Sequence, residues 1–353
     1  MKISDIDSNF KIESALGLKD AVFFDVKDAP FSVHGICRYE KGKRFFRMPP
    51  EIAKTVSDGV AWNNEYSAGG RIRFRTDSPY IAIKAVMPNT PPMPHMTRLG
   101  QSGFDIYSSD KGEYLYSGSL IPSFGQEGFE TYKPTDGKMH TYTVHMPLYD
   151  AVDEVYIGLA GGSELERAEE YKIKKPFLYY GSSITQGGCA SRPGNAYQAI
   201  IARRFDADFV NLGFSGSAKG EKAMCEYLAT IDSTVFICDY DHNAQSGAEL
   251  KATHRPVYET YRKAHPDTPI ILVSRPDFYP VPEDIKRREV VIATYEYALA
   301  SGDRKVFFAD GKHLFDGEFS DSCTVDGCHP NDLGFMRMAN KIGDAIEEAL
   351  KTL

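Results

Sequence analysis

PFLYYGSSITQGG, residues 176–188, joins a run of apolar and aromatic residues to a segment of small and polar ones. A short unbroken apolar run bounded by turn residues is the pattern of a strand covered on both faces. Four more such runs follow, DFVNL at 208–212, TVFICD at 234–239, PIILVS at 269–274 and KVFFAD at 305–310. Amphipathic stretches alternate with them, at roughly 195–205, 219–230, 249–264, 284–300 and 332–351. Strands alternating with helices imply a parallel sheet with helices on either side. Residues 172–353 are therefore expected to form a three-layer α/β/α domain around a five-stranded parallel sheet.

Before this region the grammar differs. RIRFRTDSPYIAIKAVM (71–87), EYLYSGSL (113–120), HTYTVHMPL (140–148) and EVYIGLA (154–160) alternate apolar and polar residues between turn formers. That period of two marks half-buried antiparallel strands, so residues 1–171 are expected to be an all-β sandwich. The proline-rich PNTPPMPHM at 88–96 must be a loop, since prolines remove ladder donors, and it is a candidate lid or rim. ELERAEEYKIKKP at 164–176 has linker composition, which puts the boundary near residue 172. The lone Trp62 is expected in the core, and His254 and Arg255 on the surface.

The 353 residues, 42% of them hydrophobic and 25% charged, exclude a fibrous or disordered chain. A formal charge of −8 argues against a grip on nucleic acid, which needs clustered Lys and Arg. No stretch approaches a membrane span, and MKISDIDSNFKIES has acids where a signal peptide needs an apolar run. The chain reads as soluble and cytoplasmic, or secreted if a leader has been removed. Its partner is expected to be a small molecule or carbohydrate ester, without nucleic acid or membrane; a homo-oligomer is compatible with the sequence. The six cysteines read as reduced thiols.

In an open parallel sheet, sites form beyond the carboxyl ends of the strands. Four polar clusters fall there: Gly181-Ser182-Ser183-Ile184-Thr185, Asn211-Leu212-Gly213-Phe214-Ser215-Gly216, Asp239-Tyr240-Asp241-His242-Asn243, and Asp326-Gly327-Cys328-His329-Pro330 before the last helix. In this order they resemble the four blocks of the SGNH (GDSL-type) hydrolase family, over residues 175–353. Gly103-Phe104-Asp105-Ile106-Tyr107 resembles the GxDLY signature of a β-rich domain that accompanies one branch of that family. The resemblance implies a serine esterase with Ser183 as nucleophile, His329 as base and Asp326 as its partner. Ser183, Gly216 and Asn243 would supply the oxyanion donors. The family's Gly-Asp-Ser is Gly-Ser-Ser here, and Asn243 sits in an unusual third block in which Asp239 and His242 stand as candidates to share its work.

The chemistry fits those residue types. A serine hydroxyl needs a base within hydrogen-bond reach and a third group to fix the base's tautomer. Three residues apart in a turn, Asp326 and His329 can touch. Gly216 is expected to let backbone approach the substrate carbonyl closely. Arg192 and His242 are candidate substrate-binding residues. Cys323, Cys328 and His329 lack the paired spacing of a zinc site, so no metal and no cofactor is expected. The resemblance, with no apolar helical lid visible in the sequence, implies small O-acyl esters, O-acetyl esters on carbohydrates above all, in preference to long-chain lipids. Rival readings are an acyltransferase using the same residues and a non-catalytic glycan-binding protein on a decayed hydrolase fold. An α/β-hydrolase-fold esterase is disfavoured, because no G-x-S-x-G elbow is present.

Overall fold

The computed structural model describes residues 14–37, 39–88, 90–123, 128–277 and 279–353. The opening segment judged above for a leader, up to residue 13, and Asn89 of the proline-rich loop lie outside the described residues. The chain groups into two units. One contains the described residues up to Arg47, with Glu65–Lys172 and Ser191–Gly194; the other contains Met48–Asn64, Ile173–Ala190 and Asn195–Leu353.

The first unit is built from two antiparallel sheets. Ala21–Asp25, Glu154–Ala160, Tyr80–Val86 and Phe129–Pro134 pair in that order in one of them. The other runs Leu165–Glu166, Arg71–Thr76, His140–His145, Phe104–Asp110 and Glu113–Leu120, with Ser32–His34 also paired to Arg71–Thr76. The period of two decides which side chains meet. Ile72, Phe74, Phe104, Ile106 and Val144 from one sheet share a core with Ile81, Ile83, Val155 and Ile157 from the other. That common core makes the unit the expected β-sandwich. Part of the stretch read as a linker is thus a strand, Leu165–Glu166, laid against Arg75 and Thr76.

In the second unit five parallel strands run in the order Ala207–Gly213, Ile173–Gly181, Val235–Asp239, Ile270–Val273 and Val306–Ala309. The first strand in the chain therefore lies between the second and third, which is a topological switch point. Gly181 stands in register with Gly213 on one side and Asp239 on the other. Three of the four polar clusters therefore leave the sheet at one edge. Leu178, Tyr180, Leu212, Phe236, Cys238 and Leu272 bury one face, under helices Lys222–Leu228, Gly247–Ala264 and Pro282–Ala300. On the opposite face Tyr179 meets Tyr197 edge-on, and Tyr197 stacks on Phe335. These rings belong to helices Tyr197–Phe205 and Asp332–Leu350, which complete three layers.

Two short helices come from far upstream. Pro50–Val56 and Asp58–Asn63 place Ala53 and Val60, with Met48 just before them, in the core of this α/β unit. Residues 48–64, expected with the N-terminal domain, group here instead. Pro50 sits in the first turn, where its missing N–H costs nothing, and the Ser57 side chain accepts from Val60 N–H to start the second helix. Trp62 lies on that second helix and is 65% exposed, not in the core as expected. The helical period turns its neighbours Val60 and Asn63 inward and leaves the indole outside. His254 departs from expectation in the other direction. It is 1% exposed, stacked on Tyr240 and 2.9 Å from Thr294 Oγ1, whereas Arg255 is paired with Glu259 at the surface.

Candidate active site

The turn after the central strand is shaped by its small residues. Ser182 is wholly buried; its hydroxyl accepts from Ile184 N–H at 3.2 Å, and its own N–H donates to Asp239 O at 3.2 Å. It thus caps a single helical turn, Ser183–Gln186, which ends at Gly187 with φ of 106°. Ser183 is the first residue of that turn, and its Oγ lies 3.0 Å from His329 Nε2. Gly-Ser-Ser is explained by this division: one serine is spent on the cap and the next faces the imidazole.

Neighbouring loops hold the turn in place. The Thr185 carbonyl accepts from Asn211 Nδ2 at 2.8 Å and from Gln198 Nε2 at 2.5 Å, while Gln186 Oε1 accepts from Ser215 N–H at 3.0 Å. A Cβ on Gly213 would lie 2.2 Å from Gln186 N, so only glycine permits the close contact between this block and the serine turn. Gly216 has another reason to be glycine. A Cβ there would meet nothing within 4 Å, but its φ is +64°, in the left-handed region. Asn243 Nδ2 donates to Phe214 O at 3.0 Å, which ties the third block to the second and fixes the direction of the amide.

The fourth cluster is a self-contained turn. Asp326 Oδ1 accepts from the backbone N–H of Cys328 at 3.0 Å and of His329 at 2.7 Å. Its Oδ2 lies 2.8 Å from His329 Nδ1. Burial alone would push this carboxyl up, but the N–H donors and the imidazole outweigh it and hold it below the usual range. The helix Asp332–Leu350 anchors the turn, with the Asn331 side chain accepting from Leu333 and Gly334 N–H. His329 is pushed up to about 9, first by the Cys328 sulfur against its ring and then by Asp326, both outweighing its burial. The arrangement can pass a proton between a hydroxyl and an imidazole whose tautomer is fixed from behind.

The remaining sequence candidates fall elsewhere. Asp239 does not join Asn243: its carboxyl lies under the serine turn, 3.1 Å from Thr185 Oγ1 and 3.0 Å from Tyr197 OH. Both hydroxyls donate to its Oδ2, while burial, and then the nearby Asp241, push the carboxyl up to about 8. His242 is half-buried, with Nε2 2.9 Å from Cys328 Sγ, and burial lowers it to about 3. Arg192 belongs to the segment Ser191–Gly194 that groups with the β-sandwich unit. Its Nη1 lies 2.8 Å from Asp105 Oδ2 and 2.5 Å from Tyr107 OH, and its guanidinium sits over Tyr116. The Gly-Phe-Asp-Ile-Tyr stretch thus has a physical role, since its acid and its phenol are the groups that bind this arginine.

Two family models match the chain. One, described as the GDSL-like Lipase/Acylhydrolase family, covers residues 174–347, and one described as the N-terminus of SGNH hydrolase-type esterases covers residues 21–165. Among solved structures, a protein from Bacteroides ovatus described as a GDSL-like lipase is 30% identical, with a TM-score of 0.85 over 94% of this chain and 98% of that one. The chain belongs to the GDSL-like lipase/acylhydrolase family. With that family it is a carboxylic ester hydrolase, of the branch with a GxDLY N-terminal domain. Other solved structures that share the fold are more distant in sequence. The salicylyl-acyltransferase SsfX3 of a tetracycline biosynthetic pathway is 20% identical, with a TM-score of 0.77 over 94% of this chain and 98% of that one. The acetyl xylan esterase Est2A of the rumen bacterium Butyrivibrio proteoclasticus is 12% identical, with a TM-score of 0.58 over 94% and 99%. A comparison with curated proteins gave no match. Among the described residues, no helix of this GDSL-like hydrolase is long and apolar enough to cross a membrane.

Several supporting residues were not singled out from the sequence. Gln186 and Gln198 hold the serine turn, and Asn63 Nδ2 donates to Ser215 O at 3.2 Å from the upstream helix. Glutamines inside apolar helical faces were the available signal for the first two. Asn63 carried none, because its partner lies 152 positions away.

Proposed function

We propose that the protein is a serine esterase that removes small O-acyl groups, acetyl above all, from carbohydrate hydroxyls through an acyl-enzyme. The observation that carries this reading is the relay from Ser183 Oγ to His329 Nε2 at 3.0 Å and from His329 Nδ1 to Asp326 Oδ2 at 2.8 Å. Ser183 Oγ attacks the acyl carbon while His329 Nε2 takes its proton. The charge that develops on the carbonyl oxygen is met by the Ser183 and Gly216 N–H groups and the Asn243 amide. His329 then returns the proton to the departing sugar oxygen. A water attacks the acyl-serine, again giving a proton to His329, and the acid leaves as Ser183 regains its hydrogen. Asp326 keeps the imidazole oriented and stabilises it while it is charged.

The carbohydrate side of the proposal is supported by the fold shared with an acetyl xylan esterase. An acyltransferase with an alcohol in place of water is the second reading, favoured by the fold shared with a salicylyl-acyltransferase. Incubating acetylated mono- and oligosaccharides with the enzyme, with and without an alcohol acceptor, separates the two by mass spectrometry. Free acetate as the main product in both arms supports the esterase. Acyl acceptor forming faster than acetate replaces it with the transferase.

A base must be unprotonated to accept the serine proton, and His329 is pushed up to about 9. Its neutral fraction therefore grows as pH rises. We expect kcat/KM for an aryl acetate to climb through the alkaline range and level off near pH 9. Because the Cys328 sulfur is the first cause of the shift, Cys328→Ala should move that limb toward lower pH. A profile that levels below pH 7 in the unaltered enzyme would mean that the Cys328 sulfur does not raise the imidazole.

A further inference from the structure

Cys328 neither attacks nor carries a proton in the acyl-transfer scheme, yet its sulfur lies close to two imidazoles that come from different loops. His242 Nε2 is 2.9 Å from Cys328 Sγ although the residues are 86 positions apart. Cys328 also precedes His329, and the ligand atoms offered by Asp326, Cys328 and His329 lie within 4.8 Å of one another. One thiol and two imidazoles make a borderline-soft donor set of the kind that takes zinc. We propose that Cys328, His242 and His329 form a site for a soft divalent cation such as Zn²⁺, and that filling it switches the esterase off. The inhibition rests on the Ser183–His329 reading above; the binding does not.

Each residue has a definite part. Asp326 Oδ2 already holds His329 Nδ1 at 2.8 Å, which is the carboxylate–histidine arrangement found behind metal-binding imidazoles. It leaves Nε2 as the metal-facing atom. That nitrogen is also the one 3.0 Å from Ser183 Oγ, so a cation bound to it deprives the serine of its base. His242 Nδ1 is buried without a hydrogen-bond partner among the described residues. A proton can therefore rest on Nδ1 without breaking any bond there, which frees the Nε2 lone pair facing the sulfur. In a tetrahedral zinc site with Zn–S of about 2.3 Å and Zn–N of about 2.0 Å, ligand sulfur and nitrogen stand roughly 3.5 Å apart. For the His242–Cys328 pair this means that Sγ withdraws by about 0.6 Å. Both Cys328 and His329 are only partly buried, so the cation can reach them. On binding, the thiol proton passes to solvent and the two imidazoles donate lone pairs; nothing is oxidised or reduced. Cys323 lies outside the group, being buried with Arg337 Nη1 3.3 Å from its sulfur.

The full chain should be titrated with Co²⁺, whose bond to a thiolate gives a near-ultraviolet charge-transfer band, and then with Zn²⁺ as competitor. We expect one Co²⁺ per chain, a band that zinc abolishes, no band in Cys328→Ala or Cys328→Ser, and at least about tenfold weaker binding in His242→Ala. Zinc should inhibit aryl acetate hydrolysis reversibly with a chelator. Measured against its own zinc-free rate, Cys328→Ala should tolerate about 100-fold more zinc. No band in the unaltered chain, or the same band in both Cys328 variants, overturns the site. A Cys328-dependent band without inhibition overturns the switch and turns suspicion on the base, which His329→Gln tests separately in the absence of metal.

Discussion

Replacing Ser183 by alanine should lower kcat for an aryl acetate by about 10⁴-fold or more, leaving only what binding and the oxyanion donors supply. Ser182, although adjacent, cannot take over. It is buried, its hydroxyl is engaged at Ile184 N–H, and it precedes the helical turn that presents Ser183 to His329. The fold should survive, because the cap, the Thr185 carbonyl bonds and the Gly213 contact do not involve the lost hydroxyl. Thermal melting should therefore shift little while turnover disappears. A fluorophosphonate should label the unaltered enzyme at Ser183, as read by peptide mass spectrometry, and leave Ser183→Ala unlabelled. Label on Ser182, or activity within tenfold of the original, would mean that the nucleophile has been misassigned.

Asp105→Ala should be the most damaging change in the β-sandwich unit, costing about 3–5 kcal/mol, the usual scale for removing one partner of a buried ion pair. The carboxylate is fully buried on the strand Phe104–Asp110. Its Oδ1 is 2.9 Å from His145 Nδ1, and its Oδ2 receives Arg192 Nη1 at 2.8 Å and Gly194 N–H at 2.9 Å. Removing it takes a buried charged acceptor away from a guanidinium, an imidazole and a backbone N–H. Burial alone would raise the acid, but His145 and then Arg192 outweigh it and hold Asp105 below its ordinary range. A depressed carboxylate contributes stability that is present above the ordinary carboxylate pKa and is lost as pH falls through the folded value. Denaturant melts of the variant should therefore show the deficit at neutral pH and a narrower gap in strong acid. Loss of less than about 1 kcal/mol at pH 7, a scale normal for exposed pairs, would reduce the cluster to an incidental contact.

What could be read beforehand follows physical range. The five parallel strands were legible because a strand covered on both faces must be apolar throughout, and each was found within a few residues of its observed limits. The sandwich was legible from its period of two. Helices Pro50–Val56 and Asp58–Asn63 were not singled out, although proline in a first turn and Ser57 as a cap are start signals. Trp62 and His254 went astray for one reason: residue type sets a preference for burial, but only the face of the helix decides it. Three of the four polar blocks could be placed at one edge by strand direction alone, whereas the contact of His242 with Cys328 joins loops that no local pattern connects.

The upstream helices that carry Ala53 and Val60 also bear on how such a chain can be cut or shuffled. A gene fragment starting at residue 173 would encode all five parallel strands and every residue of the proposed relay, yet it would lack Met48, Ala53 and Val60 from the core that they share with Leu178, Leu212 and Phe236. Its product would expose that greasy seam to water and be driven to clump. The hydrolytic half is therefore not a portable cassette: recombination that preserves it must carry residues 48–64 along, and a splice at the obvious seam would inherit the chemistry without a body able to hold it.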